Sequence, residues 1–143
     1  MKRAAISLGT SPLTLTMLTT SILAQSDEPP ILRKEVVVKG TPRQVFDLWT
    51  TSEGIAKFFS PESKIELRIG GPYDIYMNSK EPDKQGKRGA EGARILAYIE
   101  PELLAFTWGF PPAVESLRYS GAKTQVVLQF APVDEGRVRV KFA

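Results

Sequence analysis

The side chains that could do acid–base chemistry in this 143-residue chain are carboxylates, lysines, arginines and tyrosines, because it contains no His and no Cys. This composition excludes thiol nucleophiles, disulfides, thiolate or imidazole metal sites, and every Ser-His or Cys-His pair. The residues left for an acid/base pair are Glu66, Asp74, Tyr76, Glu91 and Arg94. In an alternating strand, Asp74 and Tyr76 lie on the face opposite to Tyr73. We therefore expect their side chains to be solvated and predict no catalytic residue.

No spacing in the sequence indicates a metal or nucleotide site. Four acidic residues of the central region match no known carboxylate ligand loop: Glu62, Glu66, Glu81 and Asp83. Gly70-Gly71 precedes a strand rather than a helix, so the helix dipole that would hold a phosphate is missing. We interpret the basic run Lys84, Lys87 and Arg88 as a solvated hairpin tip. The sequence therefore predicts no metal and no cofactor.

The charge balance argues against a nucleic-acid partner. The chain has 19 basic and 16 acidic residues, a formal net charge of +3. Two of the basic residues, Lys2 and Arg3, lie in the candidate leader, and removing them lowers the net charge to +1. The remaining excess is too small to predict a phosphate-binding surface.

The N-terminal residues have the order of a secretory signal peptide. A cationic start is followed by an uncharged stretch to Leu23, and Ala24 offers a small residue before a polar segment. Ile22 stands where a small residue is usual. The alternatives are a membrane anchor and an organelle transit peptide, but the stretch is too short and too rich in hydroxyls for an anchor. We predict a signal peptide over 1–24, a linker over 25–30, a domain over 31–143, and a periplasmic or secreted protein.

The elements that would position any site begin with a strand over 31–39. Thr41-Pro42 supplies an N-cap and a proline at the first helical position, which predicts a helix to Thr50. Ser52-Glu53 opens a second helix, which Pro61 ends. The period is then two, and it predicts antiparallel strands over 65–69, 73–77, 93–99, 103–108, 124–130 and 137–142. Polar loops are expected over 78–89 and 109–123.

Several segments in this order resemble a known superfamily. They are Val45-Phe46-Asp47-Leu48-Trp49-Thr50, Ser52-Glu53-Gly54-Ile55-Ala56-Lys57-Phe58-Phe59, Gly70-Gly71-Pro72-Tyr73-Asp74-Ile75-Tyr76-Met77, Gly92, and Pro101-Glu102-Leu103-Leu104-Ala105-Phe106-Thr107-Trp108. The chain is similar to the SRPBCC (START-like) superfamily over about 32–142, specifically to the branch named for the activator of the heat-shock-protein ATPase. The resemblance implies a curved antiparallel sheet that grips a long C-terminal helix around a hydrophobic cavity.

The resemblance leads to a fold prediction with one departure. We expect an α+β fold of the helix-grip type, with two short helices after the first strand and without the long C-terminal helix, because the chain ends at Ala143. Six side chains of the last two strands would then need another cover: Val126, Leu128, Phe130, Val138, Val140 and Phe142. Leaving five of them open would forfeit about 10 kcal/mol. We therefore expect a truncated chain, or cover from the leader, a second copy or a ligand, so self-association is one expectation.

The resemblance also implies a set of cavity-lining residues. The inward faces collect Trp49, Phe59, Tyr73, Ile75, Met77, Phe106 and Trp108. Plain core packing is the alternative for each of them, because large apolar side chains are usually just buried. Tyr73 and Trp108 are the stronger candidates for ligand contact, since their polar atoms need a partner.

The function predicted from these features is the non-enzymatic binding of a small hydrophobic ligand in a cavity between sheet and helix. One alternative is a protein-interaction module like a co-chaperone, which the family name suggests. Another alternative is an enzyme of the cyclase or hydrolase kind, which the absence of His and Cys disfavours. No stable membrane anchor is expected.

Overall fold

The computed structural model describes residues 30–77, 80–111 and 113–143. The elements of these residues are β1 (Lys34–Lys39), α1 (Pro42–Thr50), α2 (Ser52–Ile55), β2 (Ser63–Ile65), β3 (Tyr73–Ile75), β4 (Ile95–Ile99), β5 (Leu103–Trp108), α3 (Glu115–Tyr119), β6 (Thr124–Asp134) and β7 (Arg137–Phe142). The proposed signal peptide, residues 1–24, lies outside the described residues.

Local sequence explains the turn from β1 into the two short helices. The Thr41 hydroxyl accepts a hydrogen bond from the Gln44 N–H, and the Gln44 side chain accepts one from the Thr41 N–H, which completes a capping box. The hydroxyl of Thr51 caps α2 in the same way, by accepting from the Gly54 N–H. A Cβ on Gly54 would lie 2.4 Å from the Asp47 carbonyl oxygen, so only glycine allows α2 to fold back on α1.

The strands form one large antiparallel sheet in the order β1-β7-β6-β5-β4, and β2 and β3 form a separate pair. The β3 strand is held beside the start of β4, because the Tyr73 N–H donates to the Ala93 carbonyl at 3.0 Å. The sheet is open, with β1 and β4 at its edges. The predicted fold class, α+β of the helix-grip type with two short helices after the first strand, is confirmed.

The core lies between one face of this sheet, here called the inner face, and the two short helices with β3. Leu128 of β6 is opposite both Leu104 of β5 and Phe142 of β7 on this face. Phe46 of α1 packs edge-on against Phe130 of β6, with ring centroids 5.7 Å apart. Alternation along the strands therefore decides which side chains are buried, as expected for a sheet with one covered face.

The expectation that six side chains of the last two strands lie uncovered is wrong for five of them. Those five are at most 7% exposed, and they are Val126, Leu128, Phe130, Val138 and Val140. They belong to the same core cluster as Val45, Phe46 and Ile55 of the two short helices, which supply the cover. Phe142 is half-buried, and Val36, on the same face of the edge strand, is 55% exposed.

Several element boundaries differ from the prediction. The strand expected over 65–69 ends at Ile65, because the Gly71 N–H donates to the Arg68 carbonyl in a tight turn and leaves Ile69 72% exposed. The strand expected over 73–77 ends at Ile75, which leaves Met77 50% exposed. The loop expected over 109–123 contains the short helix α3.

Candidate functional site

Six aromatic side chains form a continuous row across the inner face, here called the aromatic row. In order they are Phe58, Trp49, Phe59, Trp108, Phe106 and Tyr73. Neighbouring ring centroids along the row are between 4.2 and 6.2 Å apart. These spacings are within the range of stabilising aromatic pairs. The row begins at α1 and at the residues that follow α2, passes over the end of β5 and finishes at β3.

The row runs from solvent into the core. Phe58 is 50% exposed and Phe59 is 42% exposed, although both are large apolar side chains. Trp49 and Trp108 are half-buried, and Phe106 is buried. The rings of Phe58 and Phe59 are nearly parallel, with an angle of 17° between their planes. The outer end of the row is therefore a surface of apolar ring faces in contact with water.

Tyr73 fixes the inner end of the row. Its hydroxyl donates a hydrogen bond of 2.7 Å to the Trp49 carbonyl, 24 residues earlier in the chain. Its ring stacks on Phe106 with centroids 4.2 Å apart. Burial raises the pKa of the Tyr73 phenol far above its ordinary value, so it stays protonated and keeps donating. This bond ties the end of α1 to β3 and so positions Trp49.

One cavity opens beside Trp49. Its volume is about 320 Å³, and its walls come from β1, β6, β7 and the indole of Trp49. The apolar lining residues are Val36, Trp49, Leu128, Val140 and Phe142. Lys34 and Glu35 also line it and are exposed. This cavity is here called the Trp49 cavity.

A second cavity opens beside Trp108, at the other side of Phe59. Its volume is about 520 Å³, within the range of small-molecule sites. Met77, Ala90, Trp108, Phe110 and Pro111 give it apolar walls. Lys87, Arg88 and Arg118 add positive charge to the lining, and Glu81 and Asp83 add negative charge. This cavity is here called the Trp108 cavity.

A buried ion pair builds the wall of the Trp108 cavity. Arg118 Nε donates to Asp83 Oδ2 at 2.8 Å, and the two side chains are only 7% and 10% exposed. Burial alone raises the pKa of the Asp83 carboxyl, but hydrogen bonds from the Lys87 N–H, the Arg118 guanidinium and the Gln85 N–H outweigh it and lower the net pKa. Asp83 therefore stays ionised and joins the loop after β3 to α3.

Sequence reasoning missed this ion pair. Its partners are 35 residues apart and lie in two segments interpreted as loops. The basic run was interpreted as a solvated tip, but Lys84 Nζ lies 2.6 Å from Glu115 Oε2 and 4.6 Å from the ring centroid of Tyr119. The sequence signal that could have indicated the ion pair was the order of charged and aromatic residues in α3. A helix of five residues is too short to be recognised from its pattern.

The structure brings most of the predicted site residues together. Trp49, Phe59, Phe106, Trp108 and Tyr73 are members of the aromatic row, and Met77 lines the Trp108 cavity. Tyr73 and Ile75 are completely buried in the core, below the surface that a ligand would touch. Phe58 was not in the predicted set. Ligand contact by these residues stays a prediction.

A third cavity, of about 540 Å³, lies at the turn between β4 and β5, away from the aromatic row. Ile99, Pro101, Glu102 and Lys141 are among its lining residues, and none of the predicted site residues lines it. In residues 30–77, 80–111 and 113–143, no three acidic side chains form a cluster that could hold a metal ion. Within the same ranges, no helix is long and apolar enough to cross a membrane.

Residues 39–143 match the family described as Activator of Hsp90 ATPase homolog 1-like protein. No curated protein matches the chain with significance. An HSP90 activator from Plasmodium falciparum is similar in structure, with a TM-score of 0.55 and 14% identity over 77% of this chain and 69% of that one. A protein from Colwellia psychrerythraea, described as an Aha1 dimer, has a TM-score of 0.55 and 16% identity over 78% of this chain and 72% of that one. A Chromobacterium violaceum protein has a TM-score of 0.56 and 19% identity over 78% and 76%.

Proposed function

The chain belongs to the family of Activator of Hsp90 ATPase homolog 1-like proteins, and we propose that it binds a small hydrophobic molecule along its aromatic row without catalysing a reaction on it. The observation that carries this proposal is the half exposure of Phe58 and Phe59, beside two tryptophans that each line a cavity. Exposed phenyl rings are unfavourable in water, and covering the exposed half of one contributes about 1 kcal/mol. A ligand that covers both rings therefore gains about a quarter of a micromolar affinity from them, and its contacts in the cavities must supply the rest.

The geometry suits an elongated apolar ligand better than a compact polar one. Phe59 contacts Trp49 on one side and Trp108 on the other, with centroid distances of 6.2 and 5.9 Å. Each of these tryptophans lines its own cavity. A chain or a fused ring system laid over Phe59 would reach toward both cavities.

The proposal is tested with an apolar fluorescent probe, N-phenyl-1-naphthylamine, titrated into the purified protein. We expect saturable quenching of tryptophan fluorescence, because Trp49 and Trp108 lie on both sides of the proposed contact. Phe59→Ala removes the central ring and should weaken binding about tenfold or more. Ile99→Ala is the matched control, since Ile99 is 57% exposed but lines only the cavity at the β4–β5 turn.

Two results would count against the proposal. Quenching that fails to saturate would indicate nonspecific adsorption. Equal affinities of the Phe59→Ala and Ile99→Ala variants would mean that the aromatic row does not hold the probe.

A second candidate function is a protein-interaction module, which the exposed and parallel rings of Phe58 and Phe59 also favour. Aromatic side chains are enriched at the energetic centres of protein interfaces. The test is the ATPase rate of an Hsp90-type chaperone with increasing amounts of this protein. Stimulation that Phe58→Ala abolishes would support this candidate, and an unchanged rate at saturating protein would exclude it. Light scattering on this protein alone, without the chaperone, measures the self-association expected from the sequence.

We further propose that residues 1–24 are a signal peptide and that the domain functions after export. The support is the order of charge, apolar residues and Ala24 in the sequence. Intact-mass measurement of the protein from the exported fraction tests this. A mass that retains residues 1–24 would contradict the proposal.

A further inference from the structure

We propose that the Trp108 cavity binds the carboxylate head of an amphipathic ligand, whose apolar body lies over Phe59 and Trp108. This inference rests on the proposed function and specifies the chemical class of the ligand. It comes from an asymmetry between the two cavities beside the aromatic row. The Trp49 cavity has an apolar wall with Lys34 and Glu35 at its edge, whereas three cationic and two acidic side chains line the Trp108 cavity.

Arg118 is the fixed cation of this cavity. Its side chain is 7% exposed and lines the cavity wall. Its guanidinium donates to Asp83 Oδ2 at 2.8 Å, to the Phe110 carbonyl at 2.7 Å and to the Gly89 carbonyl at 3.2 Å. A guanidinium carries five N–H donors, so donors remain beyond these three bonds. Because these bonds hold the group rigidly, it is prepared to accept an anion without rearrangement.

Lys87 adds a positive charge to the cavity lining, and Lys123, which does not itself line the cavity, lies close to the lining residue Gly109. The Lys87 side chain forms no salt bridge with any residue that the structure describes. Lys123 Nζ lies 3.3 Å from the Glu91 carbonyl and 3.4 Å from the position that a Cβ would take on Gly109, another lining residue. Burial lowers the pKa of the Lys123 ammonium, the charges of Lys87 and Arg118 lower it further, and the charges of Asp74 and Glu91 raise it in part.

An anionic ligand head beside Lys87 would complement a charge that no carboxylate of the described residues pairs with. Two acidic side chains also line the cavity, but Asp83 is already engaged by Arg118, by the Tyr119 hydroxyl at 3.2 Å and by two backbone N–H groups. Glu81 is exposed at the rim. Arg88 is paired with Glu62 at 2.7 Å. The lining side chains available to a ligand head are therefore Lys87 and Arg118, with the Lys123 ammonium close to Gly109.

The apolar walls explain why the ligand is amphipathic rather than a free inorganic anion. Trp108, Phe110 and Met77 surround the cationic group with carbon surface. Trp108 also stacks on Phe59 at 5.9 Å, so a chain leaving the cavity would pass directly onto the exposed rings. A carboxylate beside Lys87 and Arg118, with its alkyl chain on the aromatic row, satisfies both parts of the site.

The experiment compares dodecanoate with dodecan-1-ol, which has the same chain and no charge, by displacement of N-phenyl-1-naphthylamine below micelle-forming concentrations. We expect the wild-type protein to bind dodecanoate at least about tenfold more tightly, as one or two charge-assisted hydrogen bonds provide. The double variant Lys87→Gln/Lys123→Gln should lose this preference and keep its affinity for the alcohol. Lys39→Gln, an exposed lysine of β1, is the charge-matched control and should keep the preference.

Each other outcome counts against one of the two proposals. If both ligands bind equally and the double variant behaves like wild type, the carboxylate inference is wrong while hydrophobic binding stands. If neither ligand displaces the probe, the proposed function itself fails. Retained binding of the alcohol by the double variant shows that it is folded, so a lost preference cannot be attributed to misfolding.

Discussion

Replacing Tyr73 with phenylalanine tests the role of its buried hydroxyl. The substitution keeps the ring on Phe106 and removes only the 2.7 Å hydrogen bond to the Trp49 carbonyl. The loss of a hydrogen bond that leaves this partly buried carbonyl without its donor costs about 1–3 kcal/mol. For a domain of this size, each kcal/mol lowers Tm by about 4–8 °C. We therefore expect Tm to fall by about 5–20 °C in a thermal melt followed by tryptophan fluorescence.

The pH dependence of this effect has a definite sign. Burial raises the pKa of Tyr73 in the folded protein, whereas in the unfolded chain it titrates near the ordinary value of about 10. Above that pH the unfolded chain loses the proton and the folded one keeps it, so wild-type stability falls by up to about 1.4 kcal/mol per pH unit. Tyr73→Phe lacks this contribution. The stability gap between the two proteins should therefore narrow above pH 10.

Tyr98→Phe is the matched control. Tyr98 is half-buried beside the core, and its hydroxyl makes no hydrogen bond with any residue in the described part of the chain. We expect this variant to unfold within about 0.5 kcal/mol of wild type. If urea titrations gave the same small change for both variants, or a gap that does not depend on pH, the role assigned to Tyr73 would be refuted.

Two further substitutions test the elements that position the site. Gly54→Ala would place a Cβ 2.4 Å from the Asp47 carbonyl oxygen, so we expect a loss of at least about 2 kcal/mol in urea unfolding, and an unchanged midpoint would contradict the close approach of α1 and α2. Asp83→Asn removes the negative charge that pairs with Arg118, so we expect faster tryptic cleavage of the loop after β3. Asp134→Asn, which removes one partner of an exposed ion pair, is the control and should leave that cleavage rate unchanged.

Local patterns in the sequence predicted the fold well. Thr41-Pro42 placed the start of α1 at the residue where the structure has it. Alternation placed Tyr73 and Ile75 on the buried face, and both are completely buried. These predictions succeeded because capping and strand alternation depend on residues only a few positions apart.

The pattern failed where tertiary contacts decide the outcome. Ile69 continues the alternation of Ile65 but is exposed, because a turn through Arg68 and Gly71 ends the strand first. The cover over the inner face was also underestimated, since periodicity does not reveal that Phe46 packs on Phe130. Contacts between distant residues of one face require the assembled sheet.

The candidate site was only partly predictable for the same reason. Large aromatic residues at inward positions indicated most of the aromatic row, because Trp49, Tyr73, Phe106 and Trp108 stand in regular helices and strands. The wall of the Trp108 cavity depends on Asp83 and Arg118, which are 35 residues apart, one in the loop after β3 and the other in the short helix α3. No period or motif connects such residues, so only the structure brings them together.

The open edge at β1 has a consequence for the behaviour of the protein at high concentration. Val36 and Val37 at the middle of this edge are 55% and 43% exposed, and an unpaired edge strand can pair with the same strand of another molecule. In an antiparallel pairing centred between these two valines, each Lys34 would stand opposite a Lys39. Like charges directly opposite each other destabilise such a pair. Added salt screens this repulsion, so ionic strength sets how readily the protein aggregates through its first strand.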